Sequence, residues 1–148
     1  MIRNALGRRA LLLAAAVLAT SCSMMPASNT VSLGGKLSGA NQVPAVMADG
    51  SGTAEVTLNK GTNLLTWKVT YSGLSGPARA AHFHGPATTA QSVGVILGFT
   101  GSVESPIQGQ ATVTAAQAAD ILAGKWYVNV HTAKNPGGEI RAQIVPAM

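Results

Sequence analysis

From Val31 onward, turn residues interrupt the chain every 8–12 positions, and short runs of alternating apolar and polar residues lie between them. A chain cut this way has no room for long helices, and its period of two suits strands with one buried face. Eight strands are expected: Val31–Leu37, Thr53–Asn59, Leu64–Ser72, Ala80–His84, Val93–Phe99, Ile107–Val113, Trp126–Thr132 and Glu139–Val145. Ala54, Val56 and Leu58 share a face of the second, and Leu65, Trp67, Val69 and Tyr71 a face of the third. Lys60-Gly61-Thr62-Asn63 between these two reads as a hairpin turn. One helix is expected at about 115–123: Thr114-Ala115-Ala116-Gln117 is a capping box, Ala118, Ile121 and Leu122 form an apolar stripe, and Gly124 suits the position after the last turn. The fold class is therefore all-β, a Greek-key-like antiparallel sandwich or barrel of about eight strands with one short helix.

The first residues carry an address instead of a fold. Residues 1–21 begin with Arg3, Arg8 and Arg9 and continue as an apolar run from Ala10 to Ala19, too short to span a bilayer as a helix. This is the pattern of an export signal. Arg8-Arg9 fits the general secretory route and also resembles a twin-arginine signal. Leu18-Ala19-Thr20-Ser21-Cys22 resembles a bacterial lipobox, which implies lipidation of Cys22 and a chain anchored to the cell envelope. Cys22 is the only cysteine, so a disulfide framework is excluded. Residues 22–30 read as a tether and 31–148 as the domain. Of ten basic residues, three lie in the signal, leaving seven against five acidic ones, a net charge of +2. That is too little to grip phosphates, and no nucleic-acid partner is expected. The membrane, through the lipid, is the expected partner; a protein partner is not legible.

The chemistry lies in the three histidines. Alternation sets His82 and His84 opposite Ala81 and Phe83, and sets His131 with Tyr127 and Asn129 opposite Trp126, Val128 and Val130. With the apolar residues inward, all three imidazoles point out of the core, and truncating them should leave no core cavity. Two ligands at i and i+2 plus a third from a distant strand make a workable metal site, and three imidazoles suit copper, with zinc as the alternative. Met47 is a possible soft ligand but reads better as packing, and Tyr127 reads as a cross-strand contact. Glu139 and Arg141, two apart on the last strand, read as a solvated ion pair. The five acidic residues are scattered, which disfavours a paired-carboxylate glycosidase.

Several segments occur together in a known order: Leu37-Ser38-Gly39-Ala40-Asn41-Gln42-Val43-Pro44, Gly52-Thr53-Ala54, Ala81-His82-Phe83-His84-Gly85-Pro86-Ala87, Trp126 to Thr132, and Pro136 to Gln143. In these the chain resembles the CHRD domain, from about Val31 to Val145, with Gln42 standing where that family commonly has glutamate. The resemblance implies a β fold and an exported location, and little about activity. More distantly, His82-Phe83-His84, the run Gly124 to His131 and Arg141 are similar to copper–zinc superoxide dismutase. That likeness implies His82, His84 and His131 as copper ligands, Arg141 as an anion guide, and redox chemistry such as superoxide removal. The zinc-loop ligands, the bridging histidine and the disulfide of that family are absent. Copper handling, a non-catalytic interaction module and a structural zinc site are the functions left open.

Overall fold

The computed structural model describes residues 28–147. The expected signal, Cys22 and most of the expected tether lie outside the described residues. The chain forms β1 (Thr30–Ser38), β2 (Ser51–Asn59), β3 (Leu64–Ser72), β4 (Ala78–His84), β5 (Val95–Gly98), β6 (Ile107–Thr112), α1 (Ala115–Leu122), β7 (Trp126–Thr132) and β8 (Ile140–Pro146). The expected tether therefore yields its last residue, Thr30, to β1.

All eight strands lie in one antiparallel sheet, in the order β5-β4-β7-β8-β1-β2-β3-β6. The sheet curls on itself: Trp67 of β3 meets Phe83 of β4 edge to face at 5.4 Å, although five places in the strand order separate them. Phe99, just past β5, stacks on Trp67 at 4.9 Å and meets Phe83 at 5.0 Å. Three aromatic rings thus fill the seam between the edge strands β5 and β6.

The alternation in the sequence sets the core. Ala54, Val56, Leu58, Leu65, Val69, Ala81, Phe83, Val128, Val130, Ile140 and Ile144 are buried together with Trp67 and Trp126. Register follows from the β2–β3 hairpin, where Leu58 faces Leu65 and Val56 faces Trp67, so a one-residue slip would turn every apolar side chain outward. Asn63 takes the left-handed conformation that closes this hairpin, with φ of 54°. The capping box of α1 is formed as expected: the Thr114 hydroxyl accepts from the Gln117 N–H, and the Gln117 side chain accepts from the Thr114 N–H. Ala118 and Ile121 carry the helix onto the core, and Gly124 follows at φ +69°.

Candidate metal centre

β4 and β7 are neighbours, with His84 opposite Tyr127 and His82 opposite Asn129. Pairing two strands 42 or more residues apart brings the HxH of β4 beside His131 of β7, which local sequence could not secure. One ligand atom from each of His82, His84 and His131 lies within 4.8 Å of the others. His82 Nδ1 is 3.1 Å from His131 Nε2, and the His82 and His131 rings meet at 4.8 Å between centroids.

The imidazoles lie on the face away from the core residues Ala81, Phe83, Val128 and Val130, as alternation sets them, but that face is partly covered. His84 is 6% exposed, and its neighbours Tyr127 and Asn129 are 1% and 2% exposed; only His82 and His131 are half-buried. The cover is the segment 85–94; the strand expected over Val93–Phe99 is Val95–Gly98, so Val93 belongs to the cover. There Val93 is a clasp: its N–H donates to the Tyr127 hydroxyl, and its carbonyl accepts from that hydroxyl and from His84 Nδ1. The Tyr127 ring lies parallel to the His84 ring at 4.7 Å, and the Arg141 guanidinium covers Tyr127 at 3.5 Å. Truncating His84 would therefore open a cavity, contrary to the expectation for an outward ring.

Arg141 holds the same segment. It is 1% exposed and donates to the carbonyls of Gln91 and Thr88 and to Gln143 Oε1, at 2.8, 3.1 and 3.2 Å. A guiding cation needs a guanidinium open to arriving anions; this one is spent on backbone carbonyls. The solvated Glu139–Arg141 pair is likewise not formed. Glu139 is 0% exposed and accepts from the Ser75 N–H and hydroxyl, the Thr132 hydroxyl and Asn135 Nδ2. Burial pushes its carboxyl up, but those donors together outweigh it and hold the pKa down at about 2. Met47 is fully exposed, so it does not pack as expected.

The hydrogen bonds fix the tautomers. A carbonyl only accepts, so His84 Nδ1, 2.9 Å from the Val93 oxygen, carries a proton, and so does His131 Nδ1, 2.9 Å from the Pro136 oxygen. In a neutral imidazole the other nitrogen is then bare. Both Nε2 lone pairs point into the cluster, the arrangement outer carbonyls impose on ligand histidines. Burial first, then the neighbouring imidazoles, lowers the pKa of His82; burial lowers that of His131 against the opposing pull of Pro136. Both favour the neutral, ligating form.

Asn129 and Gln42 were not singled out as site residues. Asn129 Oδ1 is 2.9 Å from His84 Nε2 and 2.8 Å from His131 Nε2. The strand period already set Asn129 on the histidine face; the signal was there. Gln42 lies in a loop, and no periodicity marks it.

The model of the CHRD domain matches residues 33–144, well over half of the chain. No curated protein and no solved structure matches the chain. With its β fold and histidine cluster in the positions the motifs predicted, this chain belongs to the CHRD domain family.

Proposed function

We propose that this is a copper-handling domain of the bacterial cell envelope, exported and lipid-anchored through Cys22, that binds one metal ion through His82, His84 and His131. The observation that carries the reading is the set of facing imidazole nitrogens, all within 4.8 Å, two of them bared by backbone carbonyls. Metal–nitrogen bonds of about 2.0–2.1 Å place adjacent ligand atoms about 3 Å apart, which is the spacing found here between His82 Nδ1 and His131 Nε2. Three nitrogen donors and Cu(II)'s place at the top of the divalent series favour copper over zinc. When bound, the metal would supply a redox-active cation; binding and delivery are the role favoured over superoxide turnover, because the one arginine offered as anion guide is buried.

The test is titration of the full chain with Cu(II) and with Zn(II), in a Cys22→Ser background so that the thiol does not compete. One equivalent of Cu(II) should bind, with a d–d absorption band and a raised Tm, and His82→Ala and His131→Ala should each remove tight binding. Copper affinity unchanged in a variant lacking both would overturn the reading. Tighter binding of zinc than of copper would move the site to a structural zinc centre.

A further inference from the structure

We propose that Asn129 is the fourth ligand of this centre, through Oδ1, and that Gln42 is the positioning residue that decides which end of the Asn129 amide faces the histidines. The proposal rests on the histidine reading above and deepens it.

The proton inventory carries the first half. His84 Nε2 and His131 Nε2 are bare, because each ring spends its single proton on a carbonyl. Asn129 Oδ1, which has no proton to give, sits 2.9 and 2.8 Å from these two nitrogens. Three lone-pair-bearing atoms therefore converge with no hydrogen between them. With the Asn129 amide turned this way, the contacts of its Oδ1 with the two imidazole nitrogens are repulsive, and the one neighbouring ring nitrogen with a proton to offer is His82 Nδ1, 3.1 Å from His131 Nε2. As the inner surface of a cation site this convergence is what coordination requires, since the edges have the length expected for ligands on one ion.

The second half comes from an independent feature. Gln42 is 8% exposed, and its Nε2 is buried with no hydrogen-bond partner. A buried, unpaired amide donor forfeits its hydration with no return, so it needs a reason. A Cβ placed on Gly138 would collide with both Gln42 Nε2 and Asn129 Nδ2, so the two amide groups crowd the same point above that glycine. Gly138 itself has φ +116°, a conformation suited to glycine, which lets the turn pass beneath them.

Two arrangements satisfy every group. In the metal-free protein the Asn129 amide turns over: Nδ2 donates to the bare histidine nitrogens, and Oδ1 accepts from Gln42 Nε2. With the metal present, Asn129 Oδ1 faces the ion, and the Gln42 amide turns so that its Oε1 accepts from Asn129 Nδ2. Glutamine serves both states because it is donor and acceptor at once. Glutamate at 42 would serve the metal-bound state best, and leucine neither.

The experiment is Cu(II) titration with EPR and visible spectra on the full chain carrying Cys22→Ser, beside the Asn129→Ala, Gln42→Glu and Gln42→Leu variants. Asn129→Ala should weaken copper binding at least tenfold and shift both the EPR parameters and the d–d band. Gln42→Leu should weaken it by about 10–100-fold, as loss of an outer partner does. Gln42→Glu should retain or tighten binding and keep the wild-type spectrum. Metal-free melting curves identify any variant that fails to fold, and Gln42→Glu, the conservative change, keeps the test informative then. If His131→Ala loses copper while Asn129→Ala keeps wild-type affinity and spectrum, the fourth-ligand proposal falls and the histidine centre stands. If His82→Ala and His131→Ala bind copper like wild type, both readings fall. If Gln42→Leu matches wild type in affinity and spectrum, the positioning role of Gln42 falls.

Discussion

At the scale of single residues, Glu139, His82 and His131 all have lowered pKa values and all lose their contribution as pH falls, in two different windows. Glu139 has its pKa held at about 2, below the ordinary 4.5. A depressed folded-state pKa adds stability that is present above pH 4.5 and is lost as pH falls from there towards 2. The shift corresponds to roughly 3 kcal/mol. Glu139→Gln should flatten acid denaturation over this window, measured by urea midpoints at stepped pH, and should lower stability at pH 7. His82 and His131 have lowered pKa values. Their protons therefore compete with the metal only below the usual imidazole range near 6.5. Copper affinity should hold down to pH 6.5 and fall at lower pH than for an ordinary imidazole site, and a titration series at stepped pH checks this. Neither shift is legible in the sequence. Glu139 reads there as one half of an ion pair with Arg141, because a strand period of two puts them on one face. What separates them is that each finds better partners in other segments: Ser75, Thr132 and Asn135 for the carboxylate, Gln91 and Thr88 for the guanidinium.

At the scale of elements, the covering segment 85–94 decides how wet the centre is. Its anchors are Arg141 and Gln143 on β8 and Tyr127 on β7. Arg141→Ala should free the carbonyls of Gln91 and Thr88 and cost about 3 kcal/mol. It should also expose the segment to limited proteolysis and weaken metal binding through the loosened Val93–His84 contact. Arg141→Lys should rescue little, because an ammonium lacks the planar fork that serves two carbonyls. Chemical denaturation and protease cutting measured together separate loss of the cover from global unfolding. The aromatic seam makes a second demand. Trp67 is 8% exposed and touches Phe83 and Phe99. Trp67→Ala should cost about 3–5 kcal/mol, read from denaturation midpoints. The burial of Trp67 and Trp126 was legible from strand alternation, and so was the α1 capping box. The seam was not, since β3 and β4, though consecutive in the chain, do not pair, and only the curl of the whole sheet brings Trp67 against Phe83.

At the scale of the whole molecule, the domain is a sheet that closes its own core, with a polar patch built on its convex side. Among the described residues the one side-chain ion pair is Lys125 with Asp120, at 3.7 Å and partly exposed. Salt should therefore change stability little, by well under 1 kcal/mol between low and physiological ionic strength. A Tm that climbs or falls steeply with salt would contradict this. No helix among the described residues is long and apolar enough to cross a membrane. Membrane attachment is assigned to the proposed lipid on Cys22, and Cys22→Ser should move the protein from the membrane to the soluble fraction without altering its fold, seen by fractionation and circular dichroism.

The sequence by itself determined the strands, their inward faces, the helix with its caps, and the three histidines as candidate ligands. These follow from periods of two and 3.6 and from turn chemistry, which act over a few residues. The tertiary structure alone decided that β4 lies beside β7, that 85–94 folds over the histidines, and that Arg141 holds that cover. It also decided that Asn129 and Gln42 meet above Gly138. Burial and hydrogen-bond partners belong to pairs of residues far apart in the chain, and no local pattern encodes which distant group will arrive to claim a lone pair.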